Sequence, residues 1–117
     1  MTAPNIVSVV TITGKSAVLA SIPTSATSFI ANASSSATVL KVNALYVSNV
    51  SAAAATITAD IYRSSVAYRV AYTISIPVGQ TLDILSKAIY LEEGDTLRLT
   101  AGTSGALEAV GSYEIIS

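Results

Sequence analysis

Histidine, cysteine and tryptophan are missing from this 117-residue chain, and only 11% of it is charged. Without His, a serine nucleophile lacks its usual base, and no side chain titrates near neutrality by default. Without Cys, disulfides and thiolate metal sites are excluded, and the redox compartment is left open. The six cations are scattered from Lys15 to Arg98 and the net charge is −1. No basic stripe is available to neutralise a row of phosphates, which argues against a nucleic-acid partner. Long hydrophobic runs are missing too: no uncharged apolar stretch reaches the roughly 20 residues of a membrane helix. Met1-Thr2-Ala3-Pro4-Asn5 lacks the basic start of a secretory leader, so none is expected.

Small residues fill the space that chemistry leaves. Thirty residues are Ser or Thr and nineteen are Ala. Mean hydropathy is nevertheless +0.62. So few charges protect a monomer poorly against self-association, which favours an assembly that covers part of the surface. The length suits one domain over residues 1–117.

Apolar residues recur at a spacing of two, the period of a strand with one buried face. Val66, Tyr68, Val70, Tyr72, Ile74 and Ile76 share one parity, opposite Ala67, Arg69, Ala71, Thr73 and Ser75. Tyr68 and Tyr72 are therefore expected in the core. Ile57, Ala59 and Ile61 alternate upstream, and Arg63-Ser64-Ser65 is short enough for a hairpin turn. Further strands are expected at Ile6–Thr13, Ala17–Ile22, Ser28–Asn32, Thr38–Val50, Gln80–Leu85, Ala88–Leu91, Thr96–Ala101 and Ala106–Ile115. Turn residues such as Gly14-Lys15, Pro23-Thr24-Ser25 and Pro77-Val78-Gly79 separate them. Ser51 to Ala55 reads as a loop or strand start, since four alanines do not nucleate a helix alone. The sum is an all-β, antiparallel sandwich.

Within Thr38–Val50, Leu40, Val42, Ala44 and Tyr46 alternate with polar Lys41 and Asn43, but Leu45 and Val47 then turn the other face apolar. Two readings stay open. Either a neighbouring segment or subunit covers both faces, or a β-bulge near Asn43 resets the parity.

Candidate chemistry is thin. Lys15-Ser16 and Ser86-Lys87 are sequence neighbours that strands would point in opposite directions, so neither makes a Ser–Lys pair. Asp60, Asp83, Glu108 and Glu114 are isolated, and no pair of carboxylates is spaced for glycoside hydrolysis. Glu92-Glu93-Gly94-Asp95 concentrates three carboxylates, which suits a hard cation or simply a Gly-Asp turn. Asn32-Ala33-Ser34 and Asn49-Val50-Ser51 match the glycosylation sequon, read here as accidental. No catalytic, cofactor or metal residue is assigned. Tyrosine is common at partly wet interfaces. The candidate subunit-interface residues are Leu45, Val47, Tyr62, Tyr90 and Tyr113.

Leu91-Glu92-Glu93-Gly94-Asp95-Thr96-Leu97-Arg98-Leu99 resembles the L-x-x-G-D-x-(I/L/V)-x-(I/L/V) turn and strand found late in many jelly-roll domains. These include trimeric C1q/TNF-like modules and phage coat and fibre domains. More broadly, Lys41 to Val47, Asp60 to Ser65, Tyr90 to Asp95 and Ser112 to Ile116 resemble small virion proteins of tailed phages, those of cyanobacterial hosts above all. The resemblance covers most of residues 38–117. It implies a sandwich of jelly-roll type in a non-enzymatic virion protein. That protein would be a capsid decoration (cement) subunit, or a neck-, tail- or fibre-associated one. The implied partners are the major capsid or other virion proteins and further copies of the chain, as a homotrimer. A host-glycan recognition module is the alternative from another class.

Overall fold

The computed structural model describes residues 11–117, and strands supply its regular structure throughout. They are β1 (Ile12–Leu19), β2 (Thr27–Ala31), β3 (Val39–Asn49), β4 (Ala55–Arg63), β5 (Val66–Ile76), β6 (Thr81–Asp83), β7 (Ile89–Leu91), β8 (Thr96–Ala101) and β9 (Leu107–Ile116). Two antiparallel sheets result. One runs β1-β9-β3, with β6 and β7 both pairing the far edge of β3; the other runs β2-β8-β4-β5. Ile30, Ile57, Leu97 and Leu99 of the second sheet join Val42, Leu45, Val47 and Leu107 of the first in one buried cluster. The chain is thus an antiparallel β-sandwich with a shared aliphatic core.

The parity change in β3 is a bulge. Val42 pairs with Tyr113 and Ala44 with Ser112, leaving Asn43 unpaired. Leu40 and Val42 point inward before it, and Leu45 and Val47 point inward after it. Both Leu45 and Val47 are fully buried. One extra residue switches which side faces the core. This corrects the assignment of Leu45 and Val47 to a subunit interface, because the sandwich itself uses them.

Strand β5 corrects a second expectation. Its pairing with β4 slips twice, with extra residues at Val70 and at Tyr72–Thr73, where Thr73 has φ of 47°. Ala71, on the parity expected to face solvent, is buried, whereas Tyr68 and Tyr72 are 57% and 62% exposed. Tyr68 and Ile74 stand opposite Ile61 and Ile57, on the side of the sheet that faces the core. They stay uncovered because the facing edge of the other sheet consists only of β6 and β7, three residues each.

Other boundaries moved less. Gly14-Lys15 lies inside β1, where an eight-residue ladder to β9 overrides the turn signal. The expected strand Ala17–Ile22 stops at Leu19, and Ile22 is buried in a loop, its N–H bonded to the Leu107 carbonyl. The expected strand Ile6–Thr13 lies outside the described residues up to Val10. Arg63 pairs with Val66, so Ser64 and Ser65 form a two-residue hairpin loop. Their φ values, 50° and 62°, are those of a type I′ turn.

Candidate interaction surface

The acidic turn between β7 and β8 is an internal clasp. Asp95 is 1% exposed; Arg63 Nε donates to its Oδ1 at 2.7 Å and Nη2 to its Oδ2 at 2.5 Å. The Glu92 N–H donates to the same carboxylate at 2.8 Å, and Glu92 Oε2 accepts from Arg63 at 2.9 Å. Burial alone would raise the Asp95 carboxyl, but the Arg63 hydrogen bond, the Glu92 N–H and the guanidinium charge outweigh it and hold it below its usual value. Glu93 Oε2 accepts the N–H of Ala37, which sits at φ 56°. The place a hard cation would take in this turn is therefore held by a guanidinium. The clasp ties the β4–β5 hairpin to the β7–β8 turn and the β2–β3 loop.

Both sequon asparagines are structural. Asn32 is 4% exposed; its Nδ2 donates to the carbonyls of Thr38 and Leu91, and its Oδ1 accepts from Ser36 and Thr38 hydroxyls. Asn49 is 3% exposed; its Nδ2 donates to the carbonyls of Ala53 and Ile76, and its Oδ1 accepts from the Ser51 N–H and hydroxyl. Each side chain substitutes for missing ladder partners where strands end. Neither amide is open to an attached glycan.

The outer face of the β2-β8-β4-β5 sheet carries a charged row. Asp60 pairs in register with Arg98 on one side and Arg69 on the other. Arg98 Nε donates to Asp60 Oδ1 at 2.8 Å, and its guanidinium lies 3.9 Å from the Tyr62 ring centroid. Tyr62 is half-buried on this outer face. Arg69 lies 4.9 Å over Tyr72. Threonines 56, 58, 96 and 100 fill much of the remainder.

Among the described residues, exposed large apolar side chains cluster in two places, while Ile12, Val50, Val78 and Tyr90 are exposed singly elsewhere. On the outer face of the other sheet, Val18, Val110 and Tyr46 lie in register across β1, β9 and β3 and are 74%, 47% and 45% exposed. Beside them a shallow hollow of about 220 Å³ is lined by Val18, Ala20, Glu108 and Val110. The second is β5, where Val66, Tyr68, Tyr72 and Ile74 are all exposed. At its start a hollow of about 320 Å³ is lined by Ile61, Arg63 and Tyr68.

The five sequence candidates do not meet in one patch. Leu45 and Val47 are core, and Tyr62 lies on one sheet's outer face. Tyr90 is exposed beside Lys41 on the edge strand β7. Tyr113 pairs with Val42 on the inward side of β9 and packs half-buried against the core. The β5 residues were missed because bulges are invisible in a perfect alternation. Val18 and Val110 were legible: each sits beside inward Leu19 or Ala109, which makes both strand faces apolar there. Comparison of the chain with protein-family models and with curated proteins returns no match.

Proposed function

We propose that this chain is a non-enzymatic structural subunit of a tailed-phage virion, a capsid decoration protein built as a jelly roll. The strand order supports the jelly-roll reading: the chain crosses between a β1-β9-β3-β6/β7 sheet and a β2-β8-β4-β5 sheet at every step except β4–β5 and β6–β7, and every pair within each sheet is antiparallel. The observation that carries the structural role is where apolar surface is exposed. Val18, Val110 and Tyr46, and then Tyr68, Tyr72 and Ile74, are exposed in clusters on strands, whereas Val50 and Val78 are exposed singly in loops. Rigid strands hold such residues ready for burial at low entropic cost.

The polar groups favour the same reading. Asp95, Glu92 and Arg63 are engaged in one clasp, Asp60 and Arg98 in another, and the buried asparagines hold loops. Docking of the Val18–Val110–Tyr46 face on capsid subunits would then act by area burial, repeated over symmetric sites. Mass spectrometry and density mapping of purified particles, made from the genome that encodes the chain, test this. The expected result is one copy set at equivalent lattice positions; particles that lack the chain refute the reading.

Exposed Tyr68 and Tyr72 support glycan recognition as a second reading. Arg69 occupies one face of the Tyr72 ring, a face that sugar stacking would need. A glycan array with the purified protein separates the two readings.

A further inference from the structure

We infer that β5 is a self-association edge: two copies pair sheet to sheet along it, across a two-fold axis at Ala71. This deepens the structural-subunit reading by naming a partner surface, and it takes a second copy of this chain as the occupant. Strand β5 ends its sheet and is eleven residues long. Natural edges of that length are usually guarded by lysines, prolines, inward charges or bulges. Here Arg69 is the sole charge in the strand, and four large apolar side chains are exposed on it.

Self-complementarity sets the register. A two-fold axis normal to the sheet through Ala71 brings residue 66 against 76, 67 against 75, 68 against 74, and 69 against 73. Tyr68 then meets Ile74 of the second copy, both on the core-facing side of their sheets. Val66 lies opposite Ile76, whose side chain stays in its own core, and Arg69 meets Thr73. Such cross-strand apolar pairs are the unit that stabilises a sheet. The two Arg69 side chains are offset by four residues, about 13 Å along the strand, beyond strong repulsion at physiological salt.

The bulges fit the same axis. They fall at Val70 and at Tyr72–Thr73, on either side of Ala71. In the pair, the irregular segment of one copy lies beside that of the other. The regular stretches 66–68 and 74–76 are left to face each other. Bulges deter pairing with a straight strand, so this edge selects a partner with matching irregularities.

The exposed parts of Val66, Tyr68, Tyr72 and Ile74 come to about 400 Å² per copy. Two copies remove at most about 800 Å², below the range of stable specific interfaces, which makes this a weak, transient contact. The dimer is reversible, with a dissociation constant of roughly micromolar to millimolar, and gains strength when both copies are held on a larger assembly. A two-fold pair stands in place of the trimer that the phage resemblance implies.

The chain's lack of cysteine makes the register directly testable. Residues directly opposite across antiparallel strands have Cα atoms about 5 Å apart, within disulfide range. Ala67→Cys and Ser75→Cys proteins are prepared separately, then oxidised alone and mixed. In the inferred register only the mixture cross-links, to 23.8 kDa, twice the 11.9 kDa chain. Each variant alone keeps its thiols about 26 Å apart and stays uncross-linked. In parallel, sedimentation of the unmodified protein up to millimolar concentration shows a monomer–dimer equilibrium. Tyr68→Lys or Ile74→Lys weakens that equilibrium at least tenfold with an unchanged melting temperature. Cross-linking of single variants as readily as the mixture overturns the inference. So does a concentration-independent monomer, or a trimer indifferent to Tyr68→Lys. A solution dimer whose chain is missing from purified particles would refute the virion reading alone and leave the edge pairing intact.

Discussion

Replacing Asp95 by Asn tests the clasp that closes one end of the sandwich. The substitution keeps the side-chain shape, so the effect is electrostatic. Asp95 accepts two bonds from Arg63 and one from the Glu92 N–H, and it is almost wholly buried. Bonds to charged groups contribute about 1.5–3 kcal/mol each. The Arg63 side chain is 45% exposed and returns to water when released, so its share is heavily discounted. The expected loss at pH 7 is about 2–3 kcal/mol, a fall of about 8–12 °C in melting temperature for a chain of this size. The sign with pH follows from linkage. The folded-state carboxyl sits below its unfolded value of 3.8, so its contribution is complete above that value and disappears as pH falls through the lower, folded one. The gap between Asp95→Asn and the unmodified protein, measured by urea unfolding from pH 7 down to pH 2.5, should therefore narrow in acid. A gap below about 0.5 kcal/mol at pH 7, or one unchanged across the series, would refute the reasoning.

Four further outcomes follow from particular contacts. A Cβ on Gly111 would lie 2.8 Å from the Phe29 ring; Gly111→Ala should cost about 1–3 kcal/mol by overpacking, and a Phe29→Leu background should recover part of it in thermal melts. Ser64→Asn with Ser65→Gly places residues suited to positive φ in the hairpin loop, and calorimetry should show a gain of about 1 kcal/mol. Asn32→Ala and Asn49→Ala each remove two side-chain bonds to carbonyls, the Ala53 carbonyl keeping a second donor in the Ser51 hydroxyl, and should lose about 2–4 kcal/mol in denaturant titrations; the unmodified protein, expressed through a glycosylating secretory route, should keep its unglycosylated mass. Docking on capsids through the Val18–Val110–Tyr46 face should change little between low and moderate salt in a co-sedimentation assay, because those residues are uncharged.

The amino-acid order alone determined the fold class and the positions of nearly all described strands. A spacing of two and the turn residues between runs are local properties, readable without knowing what a strand packs against. The hairpin at Ser64-Ser65 and the loop at Ser51 to Ala54 were legible for the same reason. Side assignment was decided only by tertiary structure wherever pairing slipped. At Asn43 the alternation itself changes parity, so the bulge was one of two readings, and only the partner strand β9 separated them. In β5 the alternation is unbroken from Val66 to Ile76, yet two bulges against β4 bury Ala71 and expose Tyr72. Exposure of Tyr68 and Ile74 depends on something further still, the brevity of β6 and β7 in the opposite sheet. The clasp at Asp95 shows the same division: its turn was visible in sequence, but the guanidinium that fills it comes from Arg63, 32 residues away. Periodicity tells which residues alternate; only the neighbouring strands tell which of the alternating sides is covered.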